Sequence, residues 1–252
     1  MGAPINTPLV GSFEGTGHSV ALSSDGLTLA LGAPYSSNPD STTGRVEVRT
    51  WNSATESWEQ LGDMLYPSGT GEGGYSLALS DDGRTVAMGS PGSNGSAAVY
   101  RFSSNAWQIL GQTIEPSSPG GFFGAAVSLS ADGERIAISD TSKFINSTTF
   151  GQVEVFQLLG DSPNATDSLK SWVPMGQPIT FQDSRSTGFA LSLSDDGSIV
   201  AIGSPGAEVV AGSLTGAVNI VTWNSSDQTW HRIGDQLPGG CLLYTSPSPR
   251  DS

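Results

Sequence analysis

The sequence predicts an all-β chain folded as a β-propeller, with four repeat units of about four strands each. Three observations predict it. A strand-turn-strand pattern recurs four times in phase, an alternating apolar segment follows each copy, and a tryptophan element comes after that segment. No stretch shows sustained helical periodicity, and Lys occurs only at Lys143 and Lys170, so the pattern holds no long charged helix.

The first element reads GHSVALSSDGLTLALGAP from Gly17, GYSLALSDDGRTVAMGSP from Gly74, GAAVSLSADGERIAISDT from Gly124 and GFALSLSDDGSIVAIGSP from Gly188. Asp25, Asp82, Asp132 and Asp196 lie 57, 50 and 64 residues apart, a period that suits a several-stranded unit. With a two-residue side-chain period, Val20 and Leu22 share one face of the first strand, and Ala21 and Ser23 share the other. Leu29 and Leu31 oppose Ala30 and Gly32 in the second strand. A sheet that is bulky on one face and small on the other can stack closely on a like neighbour. Asp25-Gly26, Asp82-Gly83, Asp132-Gly133 and Asp196-Gly197 fall where each hairpin must reverse, and Asp-Gly is a strong reversal signal. Gly-Ser-Pro at 89 to 91 and its equivalents should end the second strand, because proline cannot donate to a ladder.

The alternating segment is GRVEVRTW from Gly44, AAVYRF from Ala97, GQVEVFQL from Gly151 and GAVNIVTW from Gly216. The tryptophan element is WEQLGDML from Trp58, WQILGQTI from Trp107, WVPMGQPI from Trp172 and WHRIGDQL from Trp230. Its presence in every repeat assigns these tryptophans to the scaffold rather than to sugar stacking. Met1 to Ile5 aligns with Met175 to Ile179 and Leu237 closes at a similar phase, so residues 1–240 read as a fragment of a larger propeller. The same phase also permits four units to close into a ring.

With copies in this form the chain resembles the FG-GAP repeat family, the blades of integrin-α-like propellers. Phe123-Gly124 before a first strand and Gly32-Ala33-Pro34 after a second carry the resemblance, with Gly-Ser-Pro at 89 to 91 and 203 to 205. The third copy departs from it, reading Ser139-Asp140-Thr141. The resemblance covers residues 1–240. It implies a non-catalytic recognition or adhesion module, extracellular or at the cell surface, that binds protein or glycan. Calcium-binding members carry spaced oxygen ligands in a longer loop. The turns here, SSDG, SDDG, SADG and SDDG, are too short to wrap a cation, so no cofactor or metal is expected.

Residues 241–251, CLLYTSPSPRD, match nothing upstream and resemble a translated sequencing adapter; 241–252 is read as a non-native, disordered tail. It holds the only cysteine, Cys241, so without it disulfides, cysteine zinc sites and thiol catalysis drop out. A net charge of -14, from 10 Lys and Arg against 24 Asp and Glu, opposes nucleic acid and anionic membrane surfaces. No apolar run is long enough for direct membrane insertion. Sequons at Asn94, Asn146, Asn164 and Asn224 are candidate N-glycosylation sites in loops.

No catalytic residue is assigned. Position 18 is His, Tyr, Ala and Phe across the copies, which suits packing, and His231 follows a repeat tryptophan in a strand. SGTGEGGYS from Ser68 precedes a strand instead of a helix, so it is read as a loop between repeats rather than a phosphate cradle. Ligand contact falls to the divergent loops from Tyr35, Ser142, Asp161 and Gly206. The alternative is a polysaccharide hydrolase or lyase with carboxylates at the channel mouth, although no particular pair stands out.

Overall fold

A computed structural model describes residues 14–37, 43–67, 71–92, 94–118, 121–147, 150–160, 170–182, 184–210 and 213–239. The 241–252 tail, Met1 to Ile5 and Asn164 lie outside the described residues. Among those described there is no helix, and the chain passes through four sheets in succession. The first sheet holds β1 (Ser19–Leu22), β2 (Thr28–Ser37), β3 (Thr43–Asn52) and β4 (Ser57–Gln60), with β5 (Glu72–Gly73) added in parallel to β3. The second holds β6 (Ser76–Leu79), β7 (Thr85–Ser90), β8 (Ser96–Ser103) and β9 (Ala106–Ile109). The third holds β10 (Phe123–Leu129), β11 (Arg135–Phe144), β12 (Phe150–Gly160) and β13 (Lys170–Pro174).

A small hairpin of β16 (Glu208–Val210) and β17 (Ser213–Leu214) interrupts the fourth sheet. That sheet is β14 (Ala190–Leu193), β15 (Ile199–Ser204), β18 (Ala217–Asn224) and β19 (Thr229–Arg232), with β20 (Leu237–Pro238) on β18. The first strands β1, β6, β10 and β14 pack in sequence against one another, which puts them innermost and aligns the four sheets as propeller blades.

Each first hairpin turns on Ser-x-Asp-Gly. Ser23 Oγ donates to Asp25 Oδ1 at 2.6 Å, Leu27 N–H donates to the same oxygen at 2.9 Å, and Thr28 N–H donates to Ser23 Oγ at 2.9 Å. The same three contacts recur around Asp82, Asp132 and Asp196. Gly26 takes φ of +72°, whereas its Asp neighbour stays at negative φ. The reversal is therefore a wider loop spanning Ser23 to Thr28, in place of a two-residue turn on Asp-Gly. The turns also join the blades: Ser24 N–H donates to Asp81 O at 3.1 Å, Asp81 N–H to Ala131 O at 3.0 Å, and Ala131 N–H to Asp195 O at 2.9 Å.

Packing follows the face alternation. Ala30, Val46 and Val48 of the first sheet meet Val86 and Met88 of the second. Ala87, Ala97 and Val99 of the second meet Ile136, Ile138 and Phe156 of the third, and Val153 and Val155 of the third meet Val200 and Ile202 of the fourth. Each seam sets a small face against a large one. It is pinned by a tryptophan: Trp107, Trp172 and Trp230 donate their indole N–H to Leu61, Leu110 and Met175 O of the preceding sheet at 2.7, 2.7 and 2.8 Å.

One expectation changes. Pro205 follows the end of β15 and Pro91 that of β7, but β2 runs through Pro34, because a register shift between Ala33 and Ser37 relieves Pro34 of a ladder bond. Val20 of the first sheet and Leu237 of the fourth are 61% and 55% exposed.

Candidate functional site

The antiparallel order divides the strand connections between two ends of each sheet. One end carries the Ser-x-Asp-Gly turns and the connections from third to fourth strand. The other carries the connections from second to third strand and from each sheet to the next. The divergent loops from Tyr35, Ser142 and Gly206 all join a second strand to a third, so they share the latter end; 161–169 joins β12 to β13 and lies outside the described residues.

It is at this loop end that the third repeat departs from its siblings. Asp140 stands where the other second strands carry Ala33, Ser90 and Ser204, and Glu154 stands where the other third strands carry Glu47, Ala98 and Asn219. Only the third sheet brings two acids to these places. Asp140 pairs with Gln152 and Ile138 with Glu154, so the two acids are diagonal neighbours on one face, about 7–8 Å apart at the backbone. That face turns toward the second sheet, since Ile136 and Ile138 on it pack there.

Both acids are buried. Glu154 Oε1 accepts from Gln152 Nε2 at 2.9 Å, from Ser117 Oγ at 3.0 Å and from Ser117 N–H at 3.3 Å. Burial pushes its carboxyl above the usual carboxylate range, the Asp140 charge adds to this, and the Ser117 and Gln152 contacts oppose it. Burial likewise raises Asp140. The Phe122, Ser142 and Lys143 N–H groups and the Lys143 ammonium lower it in part, but neither carboxyl oxygen has a well-formed hydrogen bond. Lys143 Nζ donates to Ser118 O at 2.9 Å, tying this strand end to the segment that enters the third sheet. Gly121 lies directly on the Asp140 carboxyl and leaves no room for a Cβ. In this low-dielectric seam each of the two carboxyls holds its proton more readily than an exposed one.

The residues singled out from the sequence lie elsewhere. Asp25, Asp82, Asp132 and Asp196 sit at the opposite end, their carboxylates taken up by serine hydroxyls and backbone N–H groups. Those bonds, the Ser194 hydroxyl first, hold Asp196 down at about 2 and lower Asp25 similarly. Among the described residues no three His, Cys, Asp or Glu side chains converge on one point. His18 lies 4.7 Å from the Tyr75 ring, and His231 on β19 contacts Asp227 and Thr229, each at 2.8 Å. Asn94 and Asn146 are exposed, and Asn224 ends β18. Sequence reasoning noted the Ser139-Asp140-Thr141 departure without connecting it to Glu154. The available signal was the strand alternation that puts both on one face.

No protein family and no curated protein matches this chain. Solved structures do. A protein of Bacteroides fragilis NCTC 9343 provisionally assigned as a 6-phosphogluconolactonase is similar at 13% identity and a TM-score of 0.50, over 87% of this chain and 55% of its own length. One of Bacteroides uniformis ATCC 8492 with the same provisional assignment is 11% identical, with a TM-score of 0.48, over 89% of this chain and 72% of its own. This chain thus spans about half the length of the first of these. At such identity the likeness establishes shared architecture. The non-catalytic expectation is corrected to this extent: it rested on likeness to recognition propellers, and the Bacteroides fragilis chain that shares the architecture at a TM-score of 0.50 carries a provisional enzyme assignment.

Proposed function

We propose that the chain is a propeller-fold hydrolase or lyase domain acting on a neutral polysaccharide, with Asp140 and Glu154 as its acid and base. One observation carries the proposal: the single repeat that breaks the Gly-Ala/Ser-Pro pattern is the one that gathers two buried carboxyls at the loop end. The strong negative charge opposes a polyanionic substrate and leaves neutral chains as the better match. The enzyme assignments of the similar structures favour hydrolysis over mere recognition, and the divergent loops at the same end supply selectivity.

In the hydrolytic form the protonated carboxyl gives its proton to the glycosidic oxygen as the bond from that oxygen to the anomeric carbon breaks. The ionised carboxyl takes a proton from the water that adds to that carbon. Ser117 covers Glu154 through bonds of 3.0 and 3.3 Å, so the substrate must displace that segment to reach the carboxyl. The FG-GAP relationship and a cell-surface location belong to the same proposal, supported by the repeat pattern and the sequons.

The test incubates the full chain with a panel of soluble neutral polysaccharides and follows new reducing ends and unsaturated products. Asp140→Asn and Glu154→Gln should each lower the rate by about 100-fold or more, the usual worth of a positioned acid or base, while the exposed Glu59→Gln leaves it unchanged. Product from no substrate, or equal rates in all variants, overturns the proposal.

A further inference from the structure

One residue in the repeat exchanges size with a neighbour in the third copy alone. His18, Tyr75, Ala125 and Phe189 are equivalent, so only the third copy lacks a ring at this place. The backbone is not the reason. In every copy this residue's N–H closes the same short turn, donating to Gly15 O at 2.9 Å, Glu72 O at 3.1 Å, Phe122 O at 3.1 Å and Ser186 O at 3.2 Å. Three residues earlier the trade is reversed: Phe122 stands where the others have Gly15, Glu72 and Ser186, and it is 54% exposed.

The exchange leaves a space. Between Tyr75 and Pro91 of the second repeat and Phe122, Ala125, Thr141 and Ser142 of the third lies a cavity of about 280 Å³ at the loop end. A ring on residue 125 would project into it, since Ala125 lines it. The cavity adjoins the acid pair: Thr141 follows Asp140 directly, and the Phe122 N–H faces the Asp140 carboxyl. Ligand sites usually run from about 300 to 1,000 Å³, so this volume suits a single ring.

The lining also selects. It combines two aromatic rings with the Thr141 and Ser142 hydroxyls and with Glu72, and it holds no Lys, Arg or His. The adjacent Lys143 donates to Ser118 O at 2.9 Å. An anionic ligand would thus find Glu72 in the wall and no basic side chain to answer it. An aromatic run leads in from the first sheet, where His18 lies 5.7 Å from the Tyr35 ring and 4.7 Å from that of Tyr75.

We propose that this cavity seats one uncharged sugar ring of the substrate beside Asp140, with its apolar C–H face on Phe122 and Tyr75 and its hydroxyls on Thr141 and Ser142. The substrate class rests on the catalytic reading above, and the lining narrows it by turning away phosphorylated and acidic sugars. Ala125 is the residue that keeps the site open.

The experiment is affinity electrophoresis of the full chain through native gels that contain mixed-linkage glucan, xyloglucan, galactomannan or polygalacturonate. At least one neutral polymer should retard the wild type, and polygalacturonate should not. Ala125→Phe installs the residue of the fourth repeat on an unchanged turn, so near-ultraviolet dichroism should match the wild type while binding weakens about 10-fold or more. Phe122→Ala, a change at an exposed side chain, should weaken it about 10-fold, the worth of one aromatic face. Asp140→Asn should still be retarded. A wild type that no neutral polymer retards, retention by polygalacturonate alone, or folded cavity variants that bind as the wild type does would each overturn the proposal. The two readings fail separately: an inactive Asp140→Asn beside cavity variants that bind normally sinks the subsite alone, whereas a fully active Asp140→Asn beside cavity variants that no longer bind sinks the acid pair and supports the subsite.

Discussion

Four glycines in one repeat position offer a matched test of the seams. Gly62, Gly111, Gly176 and Gly234 all have left-handed φ, between +67° and +74°. They differ in what stands opposite: Trp107 Cδ1 at 2.7 Å from a Cβ on Gly62, Trp172 Cδ1 at 2.9 Å for Gly111, Trp223 Cζ3 at 2.8 Å for Gly176, and nothing for Gly234. Replacement by alanine costs about 1–2 kcal/mol at any such φ, and roughly 0.4–1 kcal/mol of this returns through the less flexible unfolded chain. Gly234→Ala should thus destabilise by about 1 kcal/mol. The three internal variants add crowding against a seated indole, about 1–3 kcal/mol, for a total of about 2–4 kcal/mol. Urea denaturation followed by circular dichroism reads the difference. If all four variants agree within about 0.5 kcal/mol, the tryptophans do not seat on these glycines and the account of the seam fails.

Other expectations follow from the same geometry. Trp172→Phe keeps most of the ring and deletes the donor to Leu110 O, so it should cost about 1–3 kcal/mol in the same urea assay, while Trp58→Phe costs well under this. Asp196 has a folded pKa held down at about 2, so its stabilisation is complete above the ordinary carboxylate range and is lost as pH falls toward about 2; Asp196→Asn should flatten the loss of urea midpoint between pH 5 and pH 2, and an unchanged slope counts against the bonded turn. Asp140 has the opposite sign: its pKa is raised on folding, so its charge weighs against the fold at neutral pH and the penalty fades as pH falls through the folded pKa. Asp140→Asn should therefore raise the thermal midpoint at pH 7, by about 2–4 °C for each kcal/mol relieved, and a lowered midpoint in calorimetry rejects a desolvated charge there. In a secretory host, mass spectrometry should find glycan at the exposed Asn94 and Asn146 and none at Asn224, whose side chain is engaged by Asp227 and Ser226 in its turn.

What the repeats share was legible before any coordinates. Alternation placed Ala30 and Gly32 on one face and Leu29 and Leu31 on the other, and the two-residue period admits no other arrangement once the hairpin is in register. What lay beyond reach was contact between repeats. Trp107 bonds to Leu61, 46 residues earlier, and local spacing carries no trace of such a pairing. The turn type was misleading for a related reason. Asp-Gly alone suggests a tight reversal, but the preceding serine hydroxyl accepts Thr28 N–H and widens the loop, a competition that dipeptide preference ignores. Pro34 shows the converse: a bulge supplied by the tertiary path lets a residue that ought to end a strand sit within one.

The position of Asp140 also has a reason in the architecture. The seams restrict most of each strand, because a small face must meet a large one and a glycine must receive a tryptophan. The Ser-x-Asp-Gly end is restricted too, since its turns are bonded blade to blade. At the loop end the second strand of the third sheet carries aspartate where its siblings carry alanine or serine, and the carboxyl lies buried on the face that meets the second sheet. Two buried like charges nevertheless oppose folding, and a scaffold without a use for them would accommodate Ser204 and Asn219 instead, as the fourth sheet does. A local rule broken at the loop end, at a cost to stability, in the one repeat that lacks the Gly-Ala/Ser-Pro sequence of its siblings, is what a site grafted onto a periodic scaffold would produce.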